Sequence, residues 1–243
     1  MNQYPGYRIS FGPRISPMVK YLVIINALVF VWQFLIRLGG GGYGFITTFG
    51  LVPAAVLGEF YFWQLGTYLF LHADFWHLFF NMFALWMFGT ELESRWGRRV
   101  FTRYFFITGI GAGLLSVLAD PSSSIPTIGA SGAVYGILLA YGLIFPERYV
   151  YLYFLFPVKV KYFVGVLGVI TFLMALSDQG SAVSHIAHLG GMLVGLVYLK
   201  RWYSPGEMRK QYERRKRNKR RDSFQVHEND QSPPKRDDDY WIN

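Results

Sequence analysis

The chain is organised around a stretch of small residues, GASGAVYG, at positions 129–136. It opens an apolar segment, and the loop before it, residues 120–127, is rich in Ser and Pro. Ser131 therefore lies where a loop enters a helix, beside backbone N–H groups that have no partner within the helix and that attract a developing negative charge. Gly129 permits an unusual backbone turn, and Gly132 lets a neighbouring helix come close. The pattern suits a reactive serine, although such runs in membrane helices are more often packing motifs.

The composition indicates a protein that crosses a membrane several times. Of the 243 residues, 52% are hydrophobic and only 16% are charged. The apolar residues form blocks that are long enough to span a bilayer. The sequence contains no cysteine, which excludes disulfides and thiolate metal sites. Residues 1–17 lack the short apolar core and cleavage site of a signal peptide, so we expect the first apolar block to stay as a span.

Six apolar blocks predict an all-α fold, a polytopic bundle of six transmembrane helices. They cover about residues 18–38, 70–91, 101–119, 130–145, 162–177 and 182–199. The fourth and fifth are short for a span of about 20 residues, which suits helices that end inside the protein or beside a water-filled cavity. We therefore divide the chain into a cytoplasmic N-terminal segment (1–17), a six-helix domain (18–200) and a basic tail (201–243) that we expect to be disordered.

The distribution of basic residues predicts the orientation. Lys and Arg cluster before the first block and in every second connection after it, and 13 of the 24 lie at or after Lys200. The alternate connections contain none, although Arg37 at the far end of the first block counts mildly against the pattern. By the positive-inside rule both termini are cytoplasmic, and Ser131 lies near the outer face. We therefore expect a multi-pass protein of the plasma membrane whose site opens outward.

Two polar segments have more than one interpretation. Residues 39–62 contain four consecutive glycines and several aromatic residues, which predicts a segment lying in the membrane interface; an ordinary loop beside an aromatic belt explains the pattern equally well. The basic run at 208–221 suits binding to anionic lipid head groups, but the simpler interpretation is a topology anchor followed by a solvated tail. We expect membrane lipids and no nucleic acid among the partners. The sequence does not define an oligomeric state.

Polar side chains within the apolar blocks mark the expected site, because such residues in a membrane are costly and by default functional. His77 and Asn81 are four residues apart, so they share one face of the second helix. Both fall in its outer half, near the depth of Ser131. The sequence therefore predicts that these three residues lie in one outward-facing cavity.

A second histidine is expected to approach from the sixth helix. His188 is followed by Gly191 and Gly195, at spacings of three and seven residues, so all three lie on one strip. Such a G-x-x-x-G strip can pack closely against the Gly132 and Gly136 face of the fourth helix. That contact would bring the imidazole to the serine at the start of the fourth helix.

This set of residues suits nucleophilic catalysis. A serine hydroxyl needs an adjacent base, and we assign Ser131 as nucleophile and His188 as base. The side chains of His77 and Asn81 and the backbone N–H of Ser131 can donate to the oxyanion of a tetrahedral intermediate. Tyr135, one turn after the serine, can stack on the imidazole or simply fill the core. No acid lies convincingly within reach, so we predict a Ser–His dyad rather than a triad.

Two other chemistries fit less well. A metal site would draw its ligands from the four histidines His72, His77, His185 and His188. There is no H-E-x-x-H motif, however, and such a site would leave the serine and the asparagine without a role. A transporter would use carboxylates inside the membrane, but Asp74 and Asp178 lie at the ends of spans. We expect neither a metal nor a cofactor, and ordinary buried histidines remain the alternative for His72 and His185.

These residues resemble the rhomboid family of intramembrane serine proteases over about residues 49–199. The resemblance rests on His72-x4-His77-x3-Asn81 in the second helix, Gly129-x-Ser131-Gly132 with Tyr135 in the fourth, and AHLGG at 187–191 in the sixth. Residues 89–93, with Arg95 and Gly97, also resemble a cytoplasmic-side turn of the family in which Glu93 is a structural acid.

The resemblance implies Ser131 as nucleophile, His188 as general base and His77 and Asn81 in the oxyanion hole, with Tyr135 supporting the base. It also implies that His72 is structural and organises water, that Gly129 and Gly132 shape the serine turn, that residues 39–62 form a half-submerged lateral loop, and that the fifth helix gates substrate entry. Gln64 departs from the arginine of many relatives, so the resemblance assigns no contact that stabilises this loop.

The function implied is cleavage of transmembrane protein substrates near the outer membrane face. Such a substrate must unwind locally, so we expect small residues at the cut with Gly or Pro nearby. The alternative is a membrane protein of the same fold that binds clients without cleaving them. The presence of both Ser131 and His188 argues against that alternative.

Overall fold

The structure, a computed structural model, describes residues 14–152, 155–177, 185–202 and 217. Ten α-helices appear in this part of the chain: α1 (Pro17–Leu38), α2 (Gly42–Phe49), α3 (Pro53–Gly58), α4 (Gln64–Thr67), α5 (Phe75–Ala84), α6 (Thr90–Trp96), α7 (Arg98–Ala119), α8 (Ser131–Ile144), α9 (Val160–Ser177) and α10 (His185–Trp202). A 3₁₀ turn (Tyr68–Phe70) follows α4, and a π-helical turn (Leu85–Gly89) joins α5 to α6. Strands β1 (Tyr149–Leu152) and β2 (Phe156–Lys159) form an antiparallel hairpin.

The chain divides into two compact units, Met1–Trp202 and Tyr203–Asn243, and every element named above belongs to the first. The predicted tail (201–243) lies outside the described residues except for 201, 202 and 217, so its disorder stays a prediction. Within the described ranges, α1 and α7 are long and apolar enough to cross a membrane, while α8 and α9 are apolar but shorter.

The helices follow the predicted apolar blocks, except that the second begins later than expected. The sequence placed its start near residue 70, whereas α5 begins at Phe75. Asp74 interrupts the chain in an extended conformation, and its carboxylate accepts a hydrogen bond from the backbone N–H of His77 at 2.9 Å. This is an N-cap, which starts a helix by satisfying one of its unpaired donors. His72 therefore lies before the helix, and its placement within the helix was wrong.

Small residues set the packing of α7, α8 and α10. A β-carbon added to Gly191 of α10 would lie 1.9 Å from the carbonyl oxygen of Gly132 in α8, so the two backbones touch. One turn further along α8, a β-carbon at Gly136 would lie 2.8 Å from that of Thr108 in α7 and 3.1 Å from the carbonyl oxygen of Gly191. The predicted glycine contact between α8 and α10 is thus present at Gly191. The prediction fails for Gly195, which instead lies against Tyr104 of α7.

A buried carboxylate joins α1 to α6. Glu93 is only 4% exposed, and it accepts hydrogen bonds from the backbone N–H groups of Met18 at 2.9 Å and Val19 at 3.0 Å. The hydroxyl of Ser16 donates to the same carboxylate. These are unpaired donors at the start of α1, where a negative charge also interacts favourably with the helix dipole. Glu93 therefore has the structural position that the family resemblance implied.

Gln64 fastens the segment at 39–62, which contains α2 and α3. Its buried side chain donates from Nε2 to the carbonyl of Thr47 at 2.8 Å and accepts at Oε1 from the N–H of Val52 at 2.8 Å. One residue away, Leu51 and Thr127 exchange backbone hydrogen bonds of 2.9 and 2.8 Å. The segment is thereby tied to the loop that leads into α8. Glutamine at this position supplies the stabilising contact that the sequence left open.

We expect Gly191→Ala to destabilise the fold by about 1–3 kcal/mol or more, because the new methyl group would overlap the Gly132 carbonyl. Gly165→Ala in α9 is the matched control, since a β-carbon there meets no atom within 4 Å. The measurement is the midpoint of thermal unfolding in detergent. Equal midpoints for the two variants would show that α8 and α10 do not touch at Gly191.

Gln64→Met keeps the length of the side chain but removes its hydrogen bonds, leaving the buried N–H of Val52 without a partner. A lost partner for a buried donor costs about 1–3 kcal/mol, so the unfolding midpoint should fall. Protease cleavage within residues 39–62 should also become faster. Ser122→Ala, in an exposed loop, is the control. Unchanged stability and cleavage in Gln64→Met would contradict the role of this side chain.

Candidate active site

Ser131 and His188 lie in hydrogen-bond contact. The Oγ of Ser131 is 2.7 Å from Nε2 of His188. Ser131 is the first residue of α8 and is half-buried, whereas His188 lies in the first turn of α10 and is 7% exposed. The contact follows from helix packing, because the two backbones meet at Gly132 and Gly191, which lie beside the serine and one turn after the histidine.

Tyr135 covers the face of the histidine ring. The two rings are parallel to within 3°, with centroids 4.2 Å apart. Tyr135 lies one turn after Ser131 on the same face of α8, so a single helix presents both the hydroxyl and the stacking surface. Stacking restricts the ring orientation of His188 and keeps its Nε2 directed at the serine.

A threonine of α9 reaches the same stack. The hydroxyl of Thr171 donates to the carbonyl of Leu167 at 2.8 Å and lies 3.5 Å from the hydroxyl of Tyr135. Thr171 is 3% exposed, although most neighbouring side chains on α9 are exposed. Sequence reasoning missed this residue. The available signal was a hydroxyl in an otherwise apolar block.

No carboxylate supports His188 in the described part of the chain. Its Nδ1 is buried and has no hydrogen-bond partner among those residues. Asp74 caps α5, and Asp178 lies outside the described residues. Within the described ranges, the arrangement therefore contains a serine and a histidine in direct contact and no carboxylate that could complete a triad.

His77 faces the turn that precedes Ser131. A β-carbon at Gly129 would lie 2.7 Å from Nε2 of His77 and 3.7 Å from Oγ of Ser131. Gly129 has φ +120°, which L side chains rarely adopt, and its N–H donates to the carbonyl of Tyr68 at 2.9 Å. A side chain at this position would overlap the imidazole, so glycine allows His77 to lie close to the serine turn. The imidazole is half-buried.

Asn81 lies one helical turn below His77 and is 6% exposed. Its Nδ2 donates one hydrogen to the carbonyl of His77 at 2.8 Å. A side-chain amide carries two hydrogens on that nitrogen, so the second remains for another acceptor. His77 and Asn81 therefore form one polar strip on α5, as the spacing predicted.

His72 is fully buried beside His77, with ring centroids 5.0 Å apart. Gln33 of α1 holds its backbone: Nε2 donates to the carbonyl of His72 at 2.7 Å, and Oε1 accepts from its N–H at 3.2 Å. Sequence reasoning also missed Gln33, an amide inside the first apolar block. The ring of His185 lies 6.1 Å from that of His188. Among the described residues, no group of three or more His, Asp or Glu side chains is arranged to hold a metal ion.

Known proteins are similar to this chain in sequence. The family model described as "Rhomboid domain" matches residues 59–203. Rhomboid protein 1, mitochondrial, of Saccharomyces cerevisiae is 35% identical over 151 residues, which is 60% of this chain and 43% of that protein. Rhomboid protease GluP of Bacillus subtilis is 31% identical over 187 residues, or 74% of this chain and 34% of that protein. Rhomboid-like protease 3 of Toxoplasma gondii is 30% identical over 148 residues, or 61% and 54%.

These matches span only about a third to a half of the relatives' own lengths. The residues that the family model matches include both Ser131 and His188. The family model covers more than half of the 243 residues. The chain therefore belongs to the rhomboid family and has the mostly helical membrane fold of that family.

Proposed function

We propose that the chain is an intramembrane serine endopeptidase that cleaves transmembrane protein substrates, with Ser131 as nucleophile and His188 as general base. The distance of 2.7 Å between Oγ and Nε2 carries this proposal, because it allows direct proton transfer. Two of the relatives are named as proteases. Both residues of the pair are present in this chain, which favours an active member of the family.

In the proposed reaction, Oγ of Ser131 attacks the carbonyl carbon of the scissile peptide bond while Nε2 of His188 takes the hydroxyl proton. The protonated imidazole then gives this proton to the leaving amine, and an ester to Ser131 remains. Water attacks the ester, and its proton passes through His188 back to Ser131 as the acid product leaves. The ring of Tyr135 does the orienting work that a carboxylate performs in a triad.

We propose that His77, Asn81 and the backbone N–H of Ser131 stabilise the oxyanion of the intermediate. The close approach of the His77 imidazole to Gly129, two residues before the reacting serine, supports this. The backbone N–H of Ser131 is at the start of α8, where it has no partner within the helix. His72 packs against His77, and its buried ring nitrogens, unpaired among the described residues, fit a role in organising water.

The proposed membrane arrangement has six spans and both termini in the cytoplasm, with Ser131 near the outer face. The six long helical runs support it, counting α5 and α6 with their π-helical junction as one. The plasma membrane stays our prediction, as does the division into residues 1–17, 18–200 and 201–243. A substrate helix must unwind to present an extended bond, so we propose cleavage at small residues with Gly or Pro nearby.

Ser131→Ala and His188→Gln should each reduce cleavage of a transmembrane reporter by roughly a thousandfold or more, because either change removes an essential member of the dyad. The purified chain is assayed in lipid vesicles, with Ser122→Ala as the control serine and thermal unfolding as a check of the fold. If the folded unmutated chain cleaves none of several reporters, yet binds them, the client-binding alternative replaces this proposal.

Asn81→Ala should lower kcat by roughly 10²- to 10³-fold with little change in KM, since an oxyanion donor acts mainly in the transition state. Phe80→Leu is the matched control, because Phe80 precedes Asn81 and is 62% exposed on the outside of α5. Labelling of Ser131 by a fluorophosphonate checks that the nucleophile remains. An unchanged kcat in Asn81→Ala would remove this amide from the oxyanion hole.

A further inference from the structure

The hairpin between α8 and α9 carries an exposed apolar surface that the proposed reaction does not use. In its antiparallel register, Tyr149 lies opposite Lys159, and Tyr151 lies opposite Pro157, so these side chains share one face. Tyr151 is 62% exposed, and Leu155 at the turn is 73% exposed. A two-stranded sheet that offers such residues to water is an aggregation hazard.

Ion pairs hold the base of the hairpin against the helices. The carboxylate of Glu147 accepts from Nζ of Lys159 at 2.8 Å and from Nζ of Lys161 at 2.6 Å. The two ammonium groups lower the pKa of Glu147 to about 2, so the pairs persist at neutral pH. Arg148 forms an ion pair with Glu91 of α6, and its guanidinium lies 4.5 Å from the ring centroid of Phe145. These ion pairs therefore attach the base of the hairpin to α6 and α9.

The helix that follows the hairpin also exposes apolar side chains. β2 runs directly into α9, and the hairpin packs against that helix. Tyr162 and Val166, in the first two turns of α9, are exposed and line a shallow groove with Val169 and Ile170. This is an outer face of a membrane fold, where the solvent is lipid. The hairpin therefore adjoins the end of a helix whose exposed side chains face lipid.

We infer that the β1–β2 hairpin lies in the head-group region of the bilayer, with its tyrosine face and Leu155 against lipid. Tyrosine is enriched at this depth, because its ring is apolar and its hydroxyl can reach water or a head group. Cations at the base of the hairpin suit anionic head groups: in the described part of the chain, the three cations Arg148, Lys159 and Lys161 pair with two carboxylates, those of Glu91 and Glu147, which leaves one positive charge in excess. Lipid is thus the partner of this surface, which fixes the start of α9 in the membrane.

The absence of cysteine from the sequence allows a direct test. Leu155→Cys places one thiol at the turn, and Ser122→Cys places one in an exposed polar loop as the matched control. Each full-length variant is labelled with an environment-sensitive fluorophore and reconstituted into vesicles of phosphatidylcholine and phosphatidylglycerol. Lipids carrying a spin label near the head group quench probes at the interface, and iodide quenches probes in water.

We expect head-group spin labels to quench the probe at Leu155→Cys several-fold more strongly than the probe at Ser122→Cys, with blue-shifted emission. Equal quenching of both probes by iodide alone would place the hairpin in water and overturn the inference. Protection from both quenchers would show that protein covers the turn, which also overturns it. Tyr151→Cys gives a second site should Leu155→Cys fail to fold. The outcome is independent of cleavage, because no catalytic residue is changed.

Discussion

The site depends on one backbone contact, the approach of α10 to α8 at Gly191 and Gly132. Side chains at either position would push the helices apart, and the separation of Ser131 from His188 would grow with them. Because both partners lie within a turn of this contact, very little structure intervenes between it and the distance of 2.7 Å. Packing in a membrane lacks a hydrophobic driving force between helices, so close approach of small residues provides the attraction through dispersion.

Buried polar side chains add to this packing by hydrogen-bonding to the backbone of neighbouring elements. Glu93 and Gln64 each bond to backbone groups where a helix or loop ends inside the protein, and Gln33 does the same for the segment before α5. Water cannot satisfy those backbone groups in a membrane, so a side chain of the neighbouring element must. Each such bond ties two segments that are distant in sequence. The turn before Ser131 is positioned by the backbone hydrogen bonds between Leu51 and Thr127 and from Gly129 to Tyr68.

Much of the site was predictable because its residues obey simple spacing rules. The turn-by-turn spacing of His77 with Asn81, and of Ser131 with Tyr135, placed each pair on one helix face, and the family assignment is confirmed. The sequence could not tell that Gly195 faces α7, since small residues fit against any neighbour. It missed the cap at Asp74 and the β1–β2 hairpin, whose run of apolar and aromatic residues hides the alternation of a strand. Six spans and the catalytic roles stay predictions.

Hydrogen bonds near both ends of α1 attach it to the segments before α5 and in α6. Glu93 holds its first turn and Gln33 holds the segment before α5, and these attachments are separated by about 22 Å of helix. The run from α5 to α6 is thus hydrogen-bonded to α1 near both of its ends, which resists sliding of this run along α1. A thinner bilayer would then be met by a joint tilt of the pair. A change in membrane thickness would therefore change the tilt of α1 and α5 together, and with it the orientation of His77.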